Sequence, residues 1–242
     1  MSIEIKQKPR IWAVVPAAGI GSRMTADKPK QYIKVAGKTV LEHSINSLLM
    51  LDVIKGVQLC IAANDKYWQE LNFEHQKLLP VVPGGEQRAD TVLAGLEAIS
   101  HLAKDDDWIM VHDAARPCVN QSILLKLINN VLDHPVGGLL AIPVADTIKK
   151  ATSMESSTVS VESTISRDSL WLAQTPQMFK YEVLKASLIN AKQQQIEITD
   201  EASAIEQAGY RPLIVSGHRS NIKLTYQEDL DWVECFLNER IT

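Results

Sequence analysis

Two cations frame a glycine-containing loop near the start of the chain. Residues 11–15 form a short hydrophobic run, and the loop that follows, residues 16–31, carries Arg23 and Lys30. A buried strand that ends in such a loop can turn its backbone N–H groups toward anionic oxygens, and cations just beyond can neutralise them. This spacing predicts a site for nucleotide phosphates, although the two glycines of the loop are by themselves equally typical of a tight turn.

An acidic residue follows a second hydrophobic run. Asp113 comes after residues 108–111 and His112. A carboxylate that leaves a buried strand is costly unless it has a partner, so we expect either an ion pair with Arg116 or a Mg²⁺ ion on nucleotide phosphates, bound directly or through water. His112 could act as a base, but a structural histidine at the end of the strand is the stronger interpretation.

A third cation lies near the end of the chain. Lys223 and Thr225 would share one side of a short strand, since strand side chains alternate, and Lys223 could then reach the site; an ordinary strand is the competing interpretation. The histidines show no zinc-type spacing, and neither a GxSxG motif nor a cysteine nucleophile motif is present. The sequence thus favours phosphate binding.

Strands and helices that alternate along the chain must position these residues. The pattern predicts a Rossmann-like, mostly parallel twisted sheet with helices on both faces. Ligands of such sheets bind beyond the carboxyl ends of the strands, where three polar segments fall: 16–30, 83–91 and 112–116. The predicted strands are 11–15, 57–62, 78–82, 108–111, 138–144, 213–215 and 222–224. Helices are predicted around 41–49, 92–99 (capped by Asp90 or Thr91), 123–131, 181–194, 199–208 and 228–239.

One segment, residues 149–166, departs from this alternation. It is rich in Ser and Thr and has too few apolar residues for a core of its own. Either it is a solvated hairpin, or it is an arm that packs on a partner chain. The chain is otherwise expected to be a single domain over residues 1–242.

Composition narrows the classes of function. The chain has 242 residues with a net charge of -4, which argues against a nucleic-acid binder with a broadly basic surface. Three widely spaced cysteines predict reduced thiols and a cytoplasmic location. The first ten residues have no apolar signal core, and residues 11–15 are too few to span a bilayer, so we expect no membrane association.

Eight segments together resemble the 2-C-methyl-D-erythritol 4-phosphate cytidylyltransferases, which use CTP in the non-mevalonate isoprenoid pathway. Between about residues 12 and 229 they read PAAGIGSRM, DKPKQY, GGEQRADTVLAGL, VHDAARP, PVADTIK, LWLAQTPQMF, ITDEASA and NIKLT. The resemblance implies a nucleotidyltransferase that joins CTP to methylerythritol phosphate, releasing pyrophosphate, with Mg²⁺ as cofactor.

The resemblance also implies a role for each site residue. Arg23 and Lys30 would stabilise the transition state, Arg167 and Lys223 would position methylerythritol phosphate, and Asp113 would also hold the metal. The nucleotide would contact Pro16, Ala17, Ala18, Gly19, Gly85, Glu86, Arg88, Thr91, Asp113 and Ala114. The alcohol phosphate would contact Arg116, Thr147, Arg167, Thr175, Thr199, Lys223 and Thr225.

A homodimer with shared sites is implied as well. In the family the arm at 149–166 crosses to a second subunit, so that the neighbour's site would receive Arg116, Thr147, Arg167 and Thr175. Two residues depart from the family pattern. Ser22 stands where many relatives carry Arg or Lys, and Glu86 stands where Asp is also common.

Three alternatives remain at this point. A ribitol 5-phosphate cytidylyltransferase would share the nucleotide half of the site, but the HDAARP motif and Arg167 favour methylerythritol phosphate. A non-catalytic nucleotide-binding module would bind CTP without releasing pyrophosphate. A dinucleotide-binding dehydrogenase is disfavoured by the incomplete glycine fingerprint and by the lack of an acidic residue directly after the second strand, where Asp65 comes too late.

Overall fold

The structure is a computed structural model that describes residues 9–19, 28–152 and 159–239. The strands in these ranges, numbered along the chain, are β1 (Ile11–Ala17), β2 (Lys34–Val35), β3 (Lys38–Thr39), β4 (Ile54–Ile61), β5 (Val82–Pro83), β6 (Trp108–Val111), β7 (Gly137–Pro143), β8 (Ile148–Ala151), β9 (Val161–Ile165), β10 (Trp171–Lys180) and β11 (Leu213–Ser216). The helices are α1 (Val40–Leu49), α2 (Tyr67–Glu70), α3 (Arg88–Ala98), α4 (Gln121–Val131), α5 (Tyr181–Gln193), α6 (Glu201–Gln207) and α7 (Asp229–Asn238), with a 3₁₀ turn at Lys30–Tyr32.

A seven-stranded sheet forms the centre of the described part of the chain. Its strand order is β11-β7-β10-β6-β1-β4-β5. Neighbouring strands are parallel except around β10, which runs antiparallel to both β6 and β7. The mostly parallel sheet predicted from the sequence is therefore confirmed, with one reversed strand in its interior.

Helices cover both faces of this sheet, because the side chains of β1 alternate between two apolar cores. Ile11, Ala13 and Val15 pack with α1 and α4 on one face. Trp12 and Val14 pack with α3, α5 and α6 on the other face. Strands buried on both sides read as continuous hydrophobic runs, which explains the sequence of β1.

Three segments differ from the sequence-based predictions. The strand predicted at 78–82 is reduced to a bridge between Val57 and Leu78 and the two residues of β5, because Pro80 has no N–H to continue a ladder. Helix α3 begins at Arg88 rather than after Asp90 or Thr91, with Gln87 at the N-cap. Residues 222–224 form no strand; Leu224 instead donates its backbone N–H to the carbonyl of Ala115.

The segment at 149–166 contains a separate two-stranded hairpin. Strands β8 and β9 pair antiparallel outside the central sheet, with Lys149 opposite Thr164. Every residue of β9 is exposed. Since none of the described residues of this hairpin is buried, both interpretations of the segment remain compatible with its shape.

Two bulk predictions can be compared with the structure. Among the described residues, no helix combines the length and apolar character needed to cross a bilayer. None of the three cysteines forms a disulfide: Cys60 and Cys118 are buried and Cys235 is exposed.

Candidate functional site

A cavity of about 380 Å³ opens where β1 and β6 end and α3 begins. Since β1 and β6 are parallel neighbours, their carboxyl ends meet at the same edge of the sheet. Twelve residues assigned from the sequence line this cavity: Pro16, Ala17, Ala18, Gly19, Lys30, Gly85, Glu86, Arg88, Thr91, Asp113, Ala114 and Lys223. Three further lining residues were not assigned: Gln31, Gln87 and Ala115.

Asp113 lies among three cations at this cavity. Its Oδ1 accepts from Nε of Arg88 at 3.0 Å, and its Oδ2 lies 2.7 Å from Nζ of Lys223. Nε of Arg116 is 3.9 Å from the same Oδ2. The carboxylate thus connects a helix N-terminus, a strand end and the late segment around Lys223.

The cations keep Asp113 ionised. Burial alone would raise the pKa of the Asp113 carboxyl, but the attraction of the three surrounding cations outweighs it and holds the pKa well below its usual range. The buried negative charge in turn fixes the cations beside it. The sequence left a choice between an ion pair and a metal ligand, and in this structure Asp113 forms the ion pairs.

His112 is a structural residue in this arrangement. Its Nε2 lies 3.1 Å from the carbonyl of Arg116, and its Nδ1 lies 3.1 Å from Oγ1 of Thr175. A carbonyl can only accept, so Nε2 carries the proton and Nδ1 accepts from the hydroxyl. Thr175 Oγ1 also accepts the backbone N–H of Asp113 at 2.9 Å. Burial lowers the pKa of His112 to about 4, so the ring is neutral near pH 7. Both of its nitrogens are hydrogen-bonded.

The turn between β5 and α3 forms one wall of the cavity. A Cβ at Gly84 would lie 2.6 Å from Cβ of Ala18 and 2.7 Å from Cγ2 of Thr91, so only glycine allows this close approach. Gly85 donates its backbone N–H to Oγ1 of Thr91 at 3.1 Å. Gln87 and Arg88, at the N-terminal end of α3, line the cavity, and the helix dipole favours anions near this end.

The 3₁₀ turn at Lys30–Tyr32 forms another part of the cavity wall. Nζ of Lys30 donates to the carbonyl of Leu224 at 2.7 Å, which holds this cation close to the segment that carries Lys223. The buried amide of Gln31 donates to the carbonyls of Ala17 and Gly19 at 2.9 and 3.2 Å. Gln31 therefore fixes the peptides that enter the glycine loop.

Six assigned residues lie outside the cavity lining. Arg116 is buried and donates to the carbonyl of Asn221 at 2.6 Å, and Thr175 binds Asp113 as described. Thr225 donates its hydroxyl to the carbonyl of Lys223 at 3.1 Å. The other three are exposed: Arg167, which donates to the carbonyl of Ala145, Thr147 and Thr199.

Two of these positions do not fit the expectation that they serve a neighbouring subunit. Arg116 and Thr175 are both buried beside Asp113 of their own chain. Thr147 and Arg167 remain free for such a role, since both are exposed at the base of the hairpin. Arg23 and Ser22 fall outside the described residues.

A metal at this site would depend on few protein ligands. Among the described residues, no group of three or more His, Cys, Asp or Glu side chains could hold a metal ion. Mg²⁺ commonly binds to one or two carboxylates and completes its coordination with water and substrate phosphates. Asp113 fits this mode, because its carboxylate is ionised and lines the cavity.

A buried residue behind the cavity was also missed from the sequence. Glu201, the first residue of α6, pairs with Arg88, with Oε1 2.6 Å from Nη1. The ITDEASA segment was noted for its resemblance, but nothing in its pattern indicates a partner 113 residues away.

Comparison with known proteins gives consistent matches over nearly the whole chain. A family model described as 2-C-methyl-D-erythritol 4-phosphate cytidylyltransferase matches residues 11–239. Proteins with that name from Pseudomonas entomophila and Aliivibrio fischeri are 46% and 47% identical, over 93% and 95% of this chain and 94% of each relative. A crystal structure of 4-diphosphocytidyl-2C-methyl-D-erythritol synthase superposes with a TM-score of 0.81 at 36% identity, covering 96% of this chain and all of that one.

Proposed function

The chain belongs to the 2-C-methyl-D-erythritol 4-phosphate cytidylyltransferase family, and we propose that it carries out the family's reaction in the cavity beside Asp113, with a divalent cation and as a homodimer. The reaction joins CTP and 2-C-methyl-D-erythritol 4-phosphate to give 4-diphosphocytidyl-2-C-methyl-D-erythritol and pyrophosphate. This placement of the reaction rests on one observation: the ionised carboxylate of Asp113 lies at the cavity, where it is paired with Arg88 and Lys223.

The chemistry requires positioning and charge stabilisation but no strong base. An oxygen of the substrate phosphate forms a bond to the α-phosphorus of CTP, and the bond from that phosphorus to the oxygen bridging the β-phosphorus breaks. A phosphate monoester has a second pKa of about 6, so the attacking oxygen is already ionised at neutral pH. The neutral, fully bonded His112 fits a mechanism without a general base.

The residues around the cavity divide this work. The loop at 16–19 and the start of α3 bind the nucleotide, with backbone groups that can read a small pyrimidine. Lys30, and by family resemblance Arg23, neutralise the triphosphate and the charge that develops as pyrophosphate leaves. Lys223, with Arg167, positions the alcohol phosphate. Such preorganised cations account for catalysis without a covalent intermediate.

Asp113 is the residue that would hold Mg²⁺. A bound divalent cation would neutralise phosphate charge and orient the α-phosphate. In the structure Oδ2 of Asp113 is paired with Lys223, whose side chain is partly exposed and can move toward the alcohol phosphate instead. The carboxylate itself stays fixed by Arg88 at Oδ1.

Metal removal and an Asp113 variant test this assignment together. We expect chelation to abolish pyrophosphate release and Mg²⁺ to restore it. Asp113→Asn should require a higher Mg²⁺ concentration for half-maximal rate, because a neutral amide is a poorer ligand for a hard cation. An unchanged Mg²⁺ requirement in Asp113→Asn, with the fold intact by circular dichroism, would contradict the assignment.

Exposed apolar side chains around the hairpin support a homodimer. Val161 of β9 is 61% exposed, and Trp171 and Leu172 at the start of β10 are 42% and 54% exposed. Apolar groups at such a protruding element are typical of contact surfaces. Thr147 and Arg167, at the base of the same hairpin, would then enter the cavity of the second subunit.

The alternatives are not favoured. The matched family and its relatives are named for methylerythritol phosphate rather than ribitol 5-phosphate. A non-catalytic module would bind CTP without releasing pyrophosphate, whereas the matched family and its relatives are named as cytidylyltransferases. Three cysteines without a disulfide support a cytoplasmic location, since reduced thiols are typical of a reducing compartment.

A further inference from the structure

Glu201 is a buried carboxylate that lies behind the cavity rather than in it. It is the first residue of α6, it is 1% exposed, and it does not line the cavity. A buried charge requires a partner, and a carboxylate has four lone-pair sites to satisfy. The contacts of this residue therefore indicate what it does.

Arg88 is held between two carboxylates. Its Nη1 and Nη2 donate to Oε1 and Oε2 of Glu201 at 2.6 and 3.0 Å, which is the bidentate geometry. Nε and Nη2 of the same guanidinium lie 3.0 and 2.9 Å from Oδ1 of Asp113. The planar group is thereby fixed in orientation at the edge of the cavity.

Helix α6 is itself anchored at its first turn. Nε2 of Gln177, on β10, donates to Oδ2 of Asp200 at 2.8 Å, and Oε1 of Gln177 accepts the backbone N–H of Ala202 at 2.7 Å. Asp200 also caps the helix by accepting the backbone N–H of Ser203. Glu201 stands between these bonds, so its carboxylate has a fixed position relative to the central sheet.

We propose that Glu201 is a positioning residue for cytidylyl transfer, because it holds Arg88 against Oδ1 of Asp113 and keeps Oδ2 available. This inference rests on the proposed placement of the reaction at Asp113. An unrestrained guanidinium tends to take both oxygens of a carboxylate side-on. Glu201 holds the Nη1–Nη2 edge, and in this orientation the Nε–Nη2 edge of Arg88 meets Asp113 at Oδ1 alone. Oδ2 therefore remains for Lys223 or a cation.

Two charge-neutralising variants on one helix separate this role from a general charge effect. Glu201→Gln keeps the shape but loses the ion pair, and Glu206→Gln removes the same charge from an exposed position of α6. We expect kcat/KM for CTP to fall about 10- to 100-fold in Glu201→Gln. This range is typical of residues that orient the protein ligands of a metal ion, as Asp113 would be. Glu206→Gln should stay within about twofold of the wild type, and Glu201→Asp should recover part of the loss.

A double-mutant cycle with Arg88→Gln distinguishes positioning from folding. If Glu201 acts through Arg88, adding Glu201→Gln to Arg88→Gln should change kcat/KM by less than about threefold. A full additional loss in the double variant overturns the proposal, as does wild-type kcat/KM in Glu201→Gln. If Glu201→Gln does not fold, the same cycle is run with Glu201→Asp, whose shorter carboxylate loosens the pair but keeps the charge.

Calorimetric titration of CTP provides a readout that does not depend on turnover. We expect weaker CTP binding in Glu201→Gln than in Glu206→Gln. If the wild-type chain turns over but Glu201→Gln matches it in rate and affinity, only the role of Glu201 fails. If the wild-type chain releases no pyrophosphate, the proposed reaction fails, and the calorimetric comparison still decides whether Glu201 supports the nucleotide site.

Discussion

At the scale of single residues, the site is organised by one carboxylate among cations. Two substrates that are both polyanions require cations that stay ordered before they bind, because reorganisation during the reaction would raise the barrier. Asp113 provides that order through Arg88 and Lys223. In the proposed reaction Lys223 would exchange Asp113 for the arriving phosphate, while Arg88 stays paired with Asp113 and Glu201.

Lys30 offers the clearest single-residue test of catalysis. We expect Lys30→Ala to lower kcat at least a hundredfold, roughly 3 kcal/mol of transition-state stabilisation, which is the scale for one oxyanion donor. The matched control is Lys34→Ala, an exposed lysine in neighbouring β2. Steady-state kinetics and thermal unfolding of both variants give the comparison, and near-normal turnover of Lys30→Ala would refute its role.

His112 gives a prediction about pH. Burial lowers the pKa of His112 to about 4 in the folded chain, from its ordinary value of 6.5. The free energy of unfolding should therefore fall as pH drops from 6.5 to 4, by at most about 1.4 kcal/mol per pH unit from this residue. Nitrogen NMR shifts should report a neutral ring with the proton on Nε2 at pH 6. A charged His112 ring at pH 6 would contradict the assignment.

At the scale of elements, continuous apolar runs in the sequence predicted strands correctly, but no such run predicted β10, the long strand in the interior of the central sheet. Residues 11–15 and 108–111 read as buried strands, and they are β1 and β6. Strand β10 combines exposed apolar residues with buried Gln174, Thr175 and Gln177, and Pro176 falls where its register with β7 shifts. Polar residues and proline inside a run argue against a strand, so local pattern could not indicate this one.

The hairpin gives a test at the same scale. If Arg167 enters the cavity of a second subunit, a dimer of one Arg167→Ala chain and one Lys30→Ala chain contains one intact site. An equimolar mixture should then recover about a quarter of wild-type activity, since half of the dimers are mixed. As a control, mixing Lys223→Ala with Lys30→Ala should recover nothing, because both side chains line the same cavity. Mixed dimers without activity in the first pair would rule out shared sites.

At the scale of the whole molecule, parallel strands explain how much of the site could be predicted. Asp113 and the glycine loop follow neighbouring strands, so their meeting at one sheet edge follows from topology. The pairing of Glu201 with Arg88, and of Gln31 with the peptides of Ala17 and Gly19, depends on how distant segments pack. Such contacts leave no periodic signal in the sequence, which is why both residues were missed.

The most direct test of the account measures pyrophosphate release by the wild-type chain. CTP and the other nucleoside triphosphates are each combined with methylerythritol phosphate and with ribitol 5-phosphate in the presence of Mg²⁺. We expect one pyrophosphate per CDP-alcohol formed, with CTP and methylerythritol phosphate far ahead of every other pair. Equal or better use of ribitol 5-phosphate, or CTP binding without any pyrophosphate release, would contradict the account.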